Sequence, residues 1–285
     1  MSSRSDQKEL LPFLALSAVI MLALPLLMTS QVLPLQSTSA EQKVGGLPVK
    51  PEPLNTGLDQ LVDRADVRQK KRDFFALLKP MVRIENTYIQ QQNLWLKQLN
   101  PGQLSEEQAQ GFMTLLKDYQ VLEDSAAGLP DDVADLQALR DKLLVRVQPI
   151  PVELVLVQAA NESAWGRSRF AREGNNLFGQ WCFSRGCGLV PSQRPEGQYH
   201  EVAVFKSPQL SIRAYMRNLN GFWAYEDFRR ARAEKPMLQG AEQALYLADH
   251  LLRYSQRGQA YVDELKEMVQ VNSDLIEQAP DEHLR

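Results

Sequence analysis

Within the run VELVLVQAANESAWG, Val152, Val155, Leu156, Ala159, Ala160 and Ser163 fall on one helical face. Glu162, seven residues after Val155, lies almost on the same stripe. A carboxyl group on an apolar face loses hydration, which disfavours its anion and raises its pKa. Held protonated near neutral pH, it can act as a general acid toward a glycosidic oxygen. The competing assignment is an internal ion pair with Arg167 or Arg169, because structural pairs also put carboxylates in cores. Glycosidases commonly use a second carboxyl group. Two candidates lie in a predicted hairpin: Glu196 in the turn Pro195-Glu196-Gly197, and Glu201 in the alternating run Tyr199-His200-Glu201-Val202-Ala203-Val204-Phe205. Each is equally well placed as an ordinary solvated strand charge.

Other chemistries are poorly supplied. Three histidines (His200, His250, His283) and two cysteines (Cys182, Cys187) leave few soft metal ligands, and neither H-E-x-x-H nor paired C-x-x-C is present. We therefore expect no metal and no organic cofactor. Thirty-two basic against 35 acidic side chains give a net charge of −3, so no electrostatic case exists for a nucleic-acid partner.

The elements that must position Glu162 follow from punctuation and periodicity. Pro151 suits the first position of the helix, where a missing N–H costs nothing, and Gly166 offers its stop. Upstream, residues 59–148 read as a helical region without a chemical motif. Leu61, Ala65, Phe74, Phe75 and Leu78 lead up to Pro80, and a second segment runs through Ile89, Trp95 and Leu99. Ser105-Glu106-Glu107-Gln108 has the form of a capping box before Phe112, Leu115, Leu116 and Tyr119. Asp131 can cap a helix carrying Val133, Leu136, Leu139, Leu143 and Leu144. Ser207-Pro208 opens a further core helix through Leu210, Ile212, Ala214, Tyr215 and Leu219. Residues 29–58, with Pro34, Pro48, Pro51 and Pro53 among glycines, read as a semi-stiff linker.

Residues 10–28 carry no charged side chain. At ~1.5 Å per residue they reach roughly 28 Å, the thickness of a bilayer core. We read residues 1–28 as a signal-anchor, with a cleaved signal peptide ending near Thr38-Ser39-Ala40 as the alternative. Both export the remainder, and the first tethers it to the inner membrane. In an oxidising compartment the C-x4-C spacing of Cys182 and Cys187 suits a disulfide closing a short turn.

Two motifs now stand out: Asn161-Glu162-Ser163-Ala164-Trp165-Gly166 and Gly174-Asn175-Asn176-Leu177-Phe178-Gly179. With them the chain resembles the bacterial glucosaminidase-type peptidoglycan hydrolases of lysozyme-like fold, and within that superfamily the Bax-like group. The run ANESAWGRSRFAREGNNLFGQWCFSRGCGLVP carries the likeness, as do HEVAVF (200–205), SPQLSIRAYMRNLN (207–220) and YSQRGQAYVDEL (254–265). The resemblance implies a mainly helical (α+β) catalytic domain over 149–285, with a small β-hairpin over a cleft. It implies Glu162 as general acid, favours Glu201 over its rival Glu196 as a second acid because Glu201 lies in the matching HEVAVF segment, and implies Asn175, Asn176 and Phe178 as a cleft-lining loop. Tyr254 and Tyr261 would face the cleft to bind substrate or order a water. Trp181 could stack on a sugar ring. Blander assignments stand beside these: an Asn/Gly turn with a core aromatic, two tyrosines packing one helix face, and a tryptophan plugging the loop.

The expected function is hydrolysis of β-1,4 bonds beside N-acetylglucosamine in the glycan strands of peptidoglycan, on the periplasmic side of the inner membrane. The alternatives are a lytic transglycosylase, giving 1,6-anhydro products, and a non-catalytic cell-wall glycan-binding protein.

Overall fold

The computed structural model describes residues 46–61, 65–122, 128–192, 197 and 200–282, all within one compact unit, 41–285. The expected membrane segment (10–28), Glu196 and His283 lie outside the described residues. Among those described, no helix is long and apolar enough to cross a membrane.

Helix α1 (Val67–Gln98) starts where the Asp66 carboxylate accepts from the backbone N–H groups of Arg68 and Gln69. It runs straight through Pro80, where the sequence suggested two segments. Proline cannot donate to the Ala76 carbonyl and strains the turn before it. Here the loss is offset by burial on both sides, of Phe74, Phe75 and Leu78 before it and Met81 and Val82 after it. Helix α2 (Glu106–Asp118) opens with the anticipated capping box: Ser105 accepts from the Gln108 N–H, and the Gln108 side chain accepts from the Ser105 N–H. Helix α3 (Val133–Arg146) is capped by Asp132 in place of Asp131. Asp132 is the extended residue just before the first turn, so its carboxylate reaches the N–H groups of Ala134 and Asp135.

Helix α4 (Val152–Ser163) follows, with Pro151 as its cap and not its first residue. It is buried nearly all round because α1, α8 (Gly240–Ala248) and α9 (Gln259–Gln278) surround it. Beyond it come α5 (Arg169–Gly174), α6 (Pro208–Gly221) and α7 (Glu226–Glu234). Ser207 caps α6 by accepting from the Leu210 N–H, as expected of Ser-Pro.

The architecture is mainly helical with a small antiparallel sheet. Where a hairpin was expected there are three short strands, β1 (Trp181–Cys182), β2 (Gly188–Leu189) and β3 (Glu201–Ala203), in the order β1-β3-β2. Val202 pairs with Trp181 on one side and Leu189 on the other. Gly188 is obligatory in this register, because a Cβ there would lie 2.0 Å from the Val202 carbonyl oxygen.

Residues 46–58, the second half of the stretch read as linker, lie on the folded unit. Leu47, Thr56 and Leu58 are buried. The Arg213 guanidinium reaches the Pro51 carbonyl (2.6 Å) and the Gln209 side chain accepts from the Leu54 N–H (2.9 Å). Both side chains also grip buried Glu85 on α1, at 2.6–2.9 Å.

Candidate active site

Glu162 occupies the last turn of α4, and the motif around it fixes where that turn ends. Ser163 Oγ donates to the Ala159 carbonyl (2.5 Å) and accepts from the Gly166 N–H (2.8 Å). Ala164, Trp165 and Gly166 then take left-handed backbone, with φ of 51°, 60° and 77°. Two of these are not glycine, a conformation that costs energy and persists only where packing enforces it. Trp165 supplies that packing: its ring meets Phe74 and Phe75 edge-on, each at 5.5 Å, with Lys71 5.1 Å from its centroid. At Gly166 a Cβ would strike Leu61 at 2.8 Å. The motif is therefore a clamp that fixes the end of the helix bearing the acid.

The Glu162 carboxyl pairs with neither Arg167 nor Arg169. Arg169 reaches the Val190 carbonyl and Glu173. Glu162 Oε1 accepts a 2.8 Å hydrogen bond from the Tyr261 hydroxyl, which accepts a 2.9 Å bond from Gln158 Nε2; Gln158 Oε1 accepts from the Tyr215 hydroxyl. Burial raises the Glu162 pKa above its ordinary value, and the charge of Glu264 adds to the rise. The Tyr261 hydrogen bond and Arg257 oppose it. Arg257 is itself held by Glu264 (2.7 Å), which also accepts from Asn161 (3.2 Å). Burial, with the nearby carboxylate adding, pushes the Tyr261 phenol far above its usual range, so it stays a hydroxyl donor.

Tyr254 lies in the turn before α9, not on a helix face shared with Tyr261, yet the two rings stack at 5.4 Å and 10°. Tyr254 also meets Tyr215 edge-on at 6.2 Å. The structure brings these tyrosines together around Glu162.

The Asn-Asn loop is engaged differently. Asn176, 1% exposed, donates to the Gln180 and Ala203 carbonyls and accepts from the Phe178 and Gln180 N–H groups. Those four bonds use the full capacity of a carboxamide. Asn175 takes the left-handed cap of α5 (φ 50°) and donates to the Phe205 carbonyl. Phe178 is buried, stacked on Tyr215 at 3.9 Å and 8°. The four bonds of Asn176 and the stacking of Phe178 fit the turn-and-core alternative of the sequence reading, while half-buried Asn175 spends one amide hydrogen on the Phe205 carbonyl.

Glu201 is 7% exposed and accepts from the backbone N–H groups of Gly186 (3.0 Å) and Gly188 (2.8 Å). Cys182 and Cys187 form the expected disulfide, and the Glu201 carboxylate lies beside it, with the two sulfurs and a carboxylate oxygen within 4.8 Å of one another. Trp181, on the neighbouring strand, is 58% exposed and stacks on His200 at 4.1 Å and 21°.

Sequence reasoning passed over Gln158 and Tyr215. Gln158 had a signal: it is a polar residue four positions before Glu162 in an otherwise apolar stripe. Tyr215 had none, since its partner lies on another helix.

Residues 142–274 match the family model described as "Glucosaminidase: Mannosyl-glycoprotein endo-beta-N-acetylglucosaminidase". The chain is 32% identical over 210 residues to Protein bax of Escherichia coli (strain K12), an alignment covering 73% of this chain and 71% of that protein. No solved structure matches it.

Proposed function

This chain belongs to the Bax-like proteins with a glucosaminidase domain, and from that membership and the surroundings of Glu162 we propose that it hydrolyses β-1,4 bonds beside N-acetylglucosamine in peptidoglycan. The observation that carries the reading is Glu162 itself: a desolvated carboxyl at the end of the central helix, hydrogen-bonded on Oε1 by a phenol. A group raised in this way keeps its proton long enough to give it to a leaving oxygen.

In the proposed reaction Glu162 protonates the glycosidic oxygen as the C1–O bond breaks. The positive charge developing at C1 is met by the carbonyl oxygen of the substrate's own 2-acetamido group. Water then adds to C1 and returns a proton to Glu162. We favour this substrate-assisted course because both oxygens of Glu201 already accept backbone N–H groups. Glu201 then serves as the anchor of the disulfide loop, and Glu196 is the remaining candidate for a second carboxylate. Trp181 offers an exposed indole face for a sugar ring. The disulfide supports an oxidising, exported location, with residues 10–28 as the tether.

Among the described residues the carboxylate nearest in effect, Glu264, is held by Arg257 and Asn161, and a site with one working carboxyl group also suits a lytic transglycosylase. Mass spectrometry of fragments released from purified peptidoglycan separates the two: reducing ends mark hydrolysis, 1,6-anhydro ends mark transglycosylation. Glu162→Gln should lower release by about 10²–10⁴-fold, the range of general acid catalysis, in a protein that still folds. Undiminished release by that variant overturns the mechanism. Binding of sacculi by the unmutated chain without any release moves the assignment to a glycan-binding protein.

A further inference from the structure

We infer that Gln158 and Tyr215 are positioning residues that set the direction of the hydrogen-bond relay onto Glu162, and thereby which of its two oxygens carries the proton. The inference deepens the proposed general-acid role and rests on it for its catalytic meaning.

The argument begins at the far end of the relay. The Tyr215 ring is buried against Phe178, and its hydroxyl has one acceptor among the described residues, Gln158 Oε1. That contact fixes the orientation of the Gln158 amide, whose nitrogen must then face Tyr261. Tyr261 accepts from this N–H, so its own proton points to Glu162 Oε1. Every donor therefore points the same way, toward the carboxylate.

Turning the amide over would reverse the relay. Gln158 Nε2 would donate to Tyr215, whose own proton would be left buried without an acceptor, an expensive state. Gln158 Oε1 would then draw the Tyr261 proton away from Glu162. Tyr261 could only accept from Glu162, and the acid's proton would be held on Oε1, aimed into the core. In the observed direction Oε1 is an acceptor and the proton belongs to Oε2, from which it can leave toward a substrate.

The hydrogen bonds of Tyr215 and Gln158 go to each other and to Tyr261 and not to the carboxyl group, so they act through Tyr261. The other groups facing Glu162 are Glu264 on α9, Arg257 and Tyr254 in the turn before it, and Tyr225 in the short turn after α6. None of them belongs to the relay.

The test reads the Glu162 proton directly. The full chain is labelled with ¹³C at the glutamate carboxyl carbon, and the Glu162 resonance is identified by its absence in Glu162→Gln. Its titration is followed in the unmutated chain, in Tyr215→Phe and in Gln158→Met. Tyr215→Phe frees the Gln158 amide to turn over, so that Tyr261 can donate to Gln158 Oε1 and accept from protonated Glu162, which favours the acid form; in Gln158→Met the Tyr261 proton keeps Glu162 as its acceptor, and the midpoint should stay near that of the unmutated chain. In Tyr215→Phe the midpoint should rise by about 0.5–1 pH unit, the worth of one neutral hydrogen bond. For that variant the fragment-release assay should show kcat falling with KM held. An unmoved midpoint in Tyr215→Phe that still melts cooperatively, or an equal rise in Gln158→Met, overturns the inference, because simple loosening of the core would not separate the two variants. The NMR shift is independent of turnover: if the unmutated chain releases nothing, the general-acid reading falls while the relay is still judged by its midpoint.

Discussion

At Glu162 two forces oppose each other, since burial disfavours the anion while the Tyr261 hydroxyl and Arg257 favour it; burial prevails. A carboxyl whose pKa is higher folded than unfolded adds stability that is complete below the unfolded pKa and is lost as pH rises through the folded one. Above the unfolded carboxylate pKa, then, Glu162 becomes a burden on the fold. Glu162→Gln keeps an acceptor for Tyr261 and removes that charge. The variant should melt above the parent at pH 7, and the gap should close as pH falls through the carboxylate range. Thermal scans from pH 3 to 8 check this, and a variant that melts below its parent at pH 7 contradicts it. The raised pKa also sets the direction of the activity profile: release should decline on the alkaline side as Glu162 loses its proton.

Among the elements, the disulfide loop is held from inside by one side chain. Glu201 sits directly opposite Cys182 in the sheet and accepts from Gly186, within the loop that the disulfide closes, and from Gly188 just beyond it. Glu201→Gln would turn an NH₂ toward one of those N–H groups, leaving it unsatisfied at a cost of about 1–3 kcal/mol. As a loop anchor, Glu201→Gln should lower the melting temperature while kcat falls by less than about tenfold. A kcat loss of about 10²-fold or more at unchanged stability would instead mark Glu201 as a second catalytic carboxylate. The helix junctions depend on buried cations in a similar way. Arg232, its pKa pushed down to about 9 by burial, donates to the carbonyls of Val145, Arg146, Gln148 and Pro149 at the end of α3.

Across the whole molecule, α1 forms part of the wall of the domain that carries Glu162. It packs on α4, α6 and α9. Its side chains seat Trp165 through Phe74 and Phe75, pair Glu85 with Arg213, and hold the end of α9 through Lys79, which donates to the Ala279 carbonyl at 2.7 Å. The family match begins only at residue 142, beyond this helix. A fragment of residues 149–285 would leave the apolar face of α4 in water and Arg213 without its buried carboxylate, a break worth about 3–5 kcal/mol in such pairs. It should therefore fail to unfold cooperatively in urea and be digested rapidly by protease, whereas residues 46–285 should do neither. A sharp transition from the shorter fragment would show that α1 is dispensable.

Local chemistry made much of this legible in the sequence. The Ser105 capping box, the Ser207-Pro208 helix start, the disulfide and the anomalous Glu162 each depend on residues a few positions apart, and each appears in the structure. Pro80 did not behave by the local rule, because the burial on both sides of it comes from other helices. Asn175, Asn176 and Phe178 carry types that suit a sugar, yet their partners are carbonyls and a ring from distant segments, which no spacing encodes. Singling out Glu162 as the candidate acid took one helix, its periodicity and the resemblance carried by the motif around it. The environment that tunes it had to wait for the tertiary fold, since burial and the direction of a hydrogen-bond relay exist only once α4, α6 and α9 bring Gln158, Tyr215 and Tyr261 into contact.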